Sequence, residues 1–78
     1  MPTILRVGPY RFFFYSADRE EPPHVHVEHE AKRAKFWLNP VRLHESRGFN
    51  RVEINRVKEL VEHNESRLSE AWHEFFGD

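Results

Sequence analysis

The spacing of apolar residues changes near the middle of the chain. From Thr3 to about Leu43 they come in short runs or in strict alternation; beyond Gly48 they recur three or four positions apart. Residues 4–7 form a short apolar run that ends at Gly8-Pro9, a turn signal. Residues 10–16 (YRFFFYS) are aromatic and β-prone, and predict the second strand of a hairpin. Residues 17–23 are acidic and end in two prolines that cannot donate to a ladder, which predicts a loop. Residues 24–28 (HVHVE) alternate and predict a third strand. Residues 33–38 (RAKFWL) predict a fourth, stopped by Asn39-Pro40, and residues 41–44 offer a short edge strand.

The helical half opens on Asn50 with Glu53 three residues later, the spacing of a capping box with Asn in place of Ser or Thr. Leu68, Ala71, Trp72 and Phe75 then fall at i, i+3, i+4 and i+7, the stripe of a helix laid on a core. Gly77 is a natural stop. The seam from Ile54 through Val61 to Leu68 keeps its phase across His63-Asn64, which favours one long helix, kinked there, over two short ones. A helix of about 25 residues would run about 37 Å, outreach the strands and project an end toward a partner. The pattern predicts one α+β domain over residues 1–78. It pairs a small antiparallel β-meander of about four strands, within 3–44, with a C-terminal amphipathic helix at about 50–76, kinked or split in two.

Composition narrows how such a domain is stabilised. A chain of 78 residues buries only about 60% of its unfolded surface. It has no cysteine, so neither a disulfide nor a thiolate metal site can help. The remaining supports are its aromatic core, with seven Phe, two Tyr and two Trp, a His/carboxylate metal site, or a homodimer. A net charge of −1 is not the global balance of a strong nucleic-acid binder, so any basic patch must be local. The first residues lack the features of a signal peptide, and no apolar run approaches the about 20 residues of a membrane span. A cytoplasmic protein without a membrane partner is expected.

Candidate chemistry concentrates in residues 22–28, PPHVHVE. Side chains alternate along a strand, so Val25 and Val27 take the core face while His24, His26 and Glu28 share the other, open to water or a ligand. Pairing His26 with Lys35 across the next hairpin also sets His24 against Trp37 and Glu28 against Arg33, and sends Ala34, Phe36 and Leu38 to the valine side. Three readings stay open. His24 and His26 can serve as acid and base with Lys35 as the third catalytic residue, as in metal-free RNA cleavage. Arg33 would then hold phosphate, Trp37 or Tyr15 would stack a base, and Arg11, on the face of Phe13 and Tyr15, would add a substrate contact. Alternatively His24, His26 and Glu28 form an N,N,O set for Zn²⁺ or another divalent ion, although no cofactor is called for. The plainest reading is a solvated pair of histidines. His29, His44, His63 and His73 carry no spacing signal and read as surface, and Trp72, Phe75 and Phe76 as core. Asp18, Glu20 and Glu21 read as a solvated loop able to raise a nearby histidine's pKa. Pro2 would become a terminal secondary amine on removal of Met1.

The opening MPTI, the RFFFYS strand, the EPPHVHVE block, the AKFWL strand and the closing EAWHEFFG together resemble the small bacterial family called domain of unknown function 4160, from Met1 to Gly77. EPPHVHV followed closely by AKFW is specific as a pair. The motif block falls on Pro23, His24, His26, Lys35 and Trp37. Members resemble, in gene context, the toxin half of type II toxin–antitoxin modules. The resemblance therefore implies growth inhibition relieved by a cognate antitoxin protein, and supplies no target. Two function classes follow. One is a toxin that binds RNA or cleaves it as a metal-independent ribonuclease. The other is a non-enzymatic interaction module, an antitoxin or regulator, docking through its aromatic helix.

Overall fold

The structure, a computed structural model, describes residues 3–77; Pro2 lies outside them. Five antiparallel strands form one sheet in sequence order: β1 (Thr3–Val7), β2 (Tyr10–Phe13), β3 (His24–His29), β4 (Lys32–Leu38) and β5 (Val41–Arg47). Two helices follow, α1 (Arg51–His63) and α2 (Glu65–Phe76). This is the expected α+β meander with a helical C-terminus. The last strand is longer than expected, running on to Arg47.

The register of the central hairpin is the one that alternation dictates: His24 faces Trp37, His26 faces Lys35 and Glu28 faces Arg33. A one-residue slip would turn the valines outward, so burial pins this pairing. The face formed by Phe12, Val25, Val27, Ala34, Phe36 and Leu38 is sealed by Val57 and Val61 of α1 and Leu68 and Trp72 of α2. Phe13 is also fully buried, but on the opposite face, outside that cluster.

The helical segment is split in two at Asn64, the second of the two forms the sequence allows. Asn64 takes φ −111 and ψ 16, away from helical values, and its side-chain amide donates to the Leu60 carbonyl at 2.8 Å. The chain bends there, and Trp72 stays on the core instead of projecting beyond it. Asn50 caps α1 as expected, its Oδ1 accepting from the Glu53 amide at 2.8 Å. The Glu53 side chain does not complete the box. It reaches the sheet, accepting from Tyr10 Oη at 3.0 Å and Lys32 Nζ at 2.8 Å, with His29 Nδ1 at 3.3 Å. His29 is therefore half-buried and partnered, not free surface. Gly48 sits between β5 and α1 at φ 89, and a Cβ there would lie 2.8 Å from Lys32 Cγ.

Candidate functional site

The face of the sheet away from the helices carries the polar alternates of β2 to β5. The structure brings Tyr15, His26, Arg33 and Lys35 together around an open pocket of about 310 Å³, together with Glu45 and Arg47 of β5. His26 forms part of the floor. Its ring stacks on Phe13 with centroids 5.4 Å apart and meets the Tyr15 ring edge-on at 4.6 Å. Arg33 donates to Tyr15 Oη at 3.0 Å and pairs with Glu28 at 3.1 Å. Lys35 donates to Glu21 at 2.6 Å and lies over the Trp37 ring, 4.7 Å from its centroid. The ammonium holds the Glu21 carboxyl below its usual range. Arg47 is the most exposed of the cations, and its guanidinium is 3.8 Å from Glu45.

Two expected contacts fall elsewhere. Trp37 lies against His24 and His44 and lines a separate groove with Pro22, Pro23 and Pro40. Arg11 is occupied by Glu28 at 2.8 Å and by the Phe13 face, 4.3 Å from its centroid. It thus helps cover Phe13.

The expectation that both imidazoles are open to a ligand is corrected for His24, which is 0% exposed. It is enclosed by the rings of His26, Trp37 and Trp72, with centroids 5.1 to 5.5 Å away. Trp37 of β4 and Trp72 of α2 close over it from two elements. Its Nδ1 lies 2.9 Å from the Pro22 carbonyl oxygen and therefore carries a proton to donate there.

The carboxylate beside these imidazoles is Asp18, not Glu28. A 3₁₀ helix, Ser16–Glu20, turns Asp18 back over β3, where its Oδ2 accepts from the Tyr15 amide at 2.8 Å. The same oxygen is 3.0 Å from His26 Nε2 and 3.1 Å from His24 Nε2. Burial lowers the His26 pKa most, Asp18 pulls it upward, and His24 and Lys35 push it down again. Glu45 and Arg47 escaped the sequence reading, whereas Asp18, read as part of a solvated loop able to raise a nearby histidine's pKa, proves to be half-buried against both imidazoles. A carboxylate three residues after Tyr15 was the available signal for Asp18. For Glu45 and Arg47 the signal was masked, because a bulge at the Lys35–Phe36 side of the β4–β5 pairing breaks the alternation of β5.

An antiparallel sheet covered by two helices on one face, with a cationic pocket on the other, defines a small two-layer α+β protein. Residues 10–73 match the family described as domain of unknown function (DUF4160), and the chain belongs to that family. No curated protein and no solved structure matches it significantly. Among the described residues no helix is long and apolar enough to cross a membrane.

Proposed function

We propose that this chain is the toxin half of a bacterial type II toxin–antitoxin pair and that it acts by binding RNA in the pocket of Tyr15, His26, Arg33, Lys35 and Arg47. One observation carries the RNA reading: a chain of net charge −1 gathers Arg33, Lys35 and Arg47 around one open pocket that also offers an aromatic ring and an imidazole. Cations hold phosphate, and a ring edge or face receives an unstacked base. A volume of about 310 Å³ suits a single nucleotide better than a duplex, which argues for single-stranded RNA. The toxin reading is supported by the gene context that the family resemblance implies, and relief would come from a cognate antitoxin protein. Because His24 is enclosed, His26 is the imidazole that meets RNA, and a paired acid and base from the two histidines is set aside. The docking alternative loses weight because Trp72 is 3% exposed and part of the core, which leaves Phe75 as the exposed ring of the C-terminal aromatic trio.

The test is induced expression in a bacterial host, comparing wild type with Arg33→Ala/Lys35→Ala at matched soluble levels. Fluorescence anisotropy of a single-stranded RNA oligonucleotide is measured on the same proteins. Arrest and RNA binding by wild type, both lost in the variant, are expected. Arrest that survives the substitutions would move the toxic contact away from this pocket. Normal growth with wild type would end the toxin reading and leave RNA binding to be judged alone.

A further inference from the structure

Behind the pocket, two imidazoles and a carboxylate converge in a way that hydrogen bonding does not satisfy. Asp18 Oδ2 has two lone pairs, and the Tyr15 amide and His26 Nε2 approach it at 2.8 and 3.0 Å. His24 Nε2 is a third claimant at 3.1 Å, yet it makes no hydrogen bond and is fully buried. With Nδ1–H committed to the Pro22 carbonyl, the neutral His24 ring presents a bare lone pair at Nε2. That lone pair is not aimed along the line to Asp18 Oδ2, which leaves it directed at a point where a positive ion would sit between nitrogen and oxygen but off that line. A proton on Nε2 would need to point at the oxygen, and the direction is wrong for a hydrogen bond.

We propose that Asp18, His24 and His26 form a binding site for a divalent first-row transition-metal ion of the zinc type. The donor atoms of all three residues lie within 4.8 Å of one another. With metal–ligand bonds of about 2.0–2.2 Å, tetrahedral geometry puts ligand atoms about 3.4 Å apart. The two edges that meet at Asp18, 3.0 and 3.1 Å, need to open by only a few tenths of an ångström, and the third edge, between the imidazoles, lies within 4.8 Å. The outer shell is that of a metal site: the Pro22 carbonyl fixes the His24 tautomer and the Tyr15 amide fixes the carboxylate. Two nitrogens and one oxygen suit zinc and its neighbours better than calcium or magnesium, which prefer oxygen. His24 is sealed, whereas His26 and Asp18 keep 18% and 12% of their side-chain surface exposed. Three protein ligands thus leave a fourth position on the pocket side, the layout of an open zinc site. Glu21, 3.7 Å from His24 Nδ1, and Lys35, paired with Glu21, are the nearest flanking charges and offset each other. The site goes beyond the RNA reading and stands without it, although the two share His26.

Chelator-stripped protein, free of RNA, would be titrated with Zn²⁺ by calorimetry and with Co²⁺ by visible absorption. One ion per chain is expected, with the intense Co²⁺ bands of a four-coordinate site. Zinc at a hundredfold excess over Kd should raise Tm by about 10 °C or more. Asp18→Asn and His26→Ala should each weaken binding beyond the about 10–100-fold that a lost outer-shell partner costs. His63→Ala/His73→Ala, which removes surface imidazoles, should change nothing. Absence of saturable binding, weak six-coordinate Co²⁺ bands, or equal affinity in the ligand variants would overturn the site. The Co²⁺ spectrum of the wild type decides even where a variant fails to fold. RNA binding measured in chelator separates failure of the metal site from failure of the RNA pocket.

Discussion

The Glu53 carboxylate accepts from Tyr10 on β2 and Lys32 on β4 and meets His29 on β3, so one side chain ties α1 to three strands. The Lys32 hydrogen bond is the main reason its pKa falls from 4.5 to about 2, and Tyr10 and His29 add to it. A carboxyl whose folded pKa lies below its unfolded value stabilises the fold fully above the unfolded pKa and loses that contribution as pH falls toward the folded one. For Glu53 the window runs from pH 4.5 down to about 2. Glu53→Gln should therefore be less stable at neutral pH and lose less stability than wild type across that window. Urea melts at several pH values would measure both curves. Parallel curves would mean that Glu53 is not the group that senses acid.

Among the elements, α2 shows most directly which apolar residues bear weight. Leu68 and Trp72 are buried, Phe76 packs at the edge of the core and Phe75 is 40% exposed. Leu68→Ala should cost about 2–5 kcal/mol, a large part of the stability of a domain this small. Phe75→Ala should cost far less. Denaturant midpoints for the pair check this, and equal losses would mean that the buried face of α2 has been misassigned. The helical stripe, the strand faces and the β3–β4 register were legible in the sequence because burial enforces period and pairing on them. The break at Asn64 was legible as a place for a kink or split, but not which of the two, since the apolar seam keeps its phase across it while one side-chain amide reroutes the backbone. Nor was the site complete. HVHVE and AKFW fixed the strand residues, but Asp18 arrives on a turn whose direction depends on tertiary packing, and enclosure of His24 depends on rings from α2.

At the scale of the whole molecule, the two faces of one sheet are separated in purpose. The helix-covered face holds the main apolar cluster, while the other buries Phe13 and His24 and carries exposed charge beside them. Arg33 and Arg47 keep 53% and 85% of their side-chain surface exposed, so their ion pairs with Glu28 and Glu45 contribute little to stability. Substituting either with alanine should shift stability by no more than about 0.5 kcal/mol. If these cations hold phosphates of single-stranded RNA, each loss should also flatten the dependence of log affinity on log salt by about 0.7. Arg67, exposed on α2 and remote from the pocket, supplies the control: its alanine variant should keep the wild-type slope. Anisotropy titrations at several salt concentrations, run beside thermal melts, separate the two effects. A slope changed equally by Arg67→Ala would mean diffuse attraction by the whole surface. A slope changed only by Arg33→Ala and Arg47→Ala, with Tm held, would locate phosphate binding on the sheet face that the helices leave open.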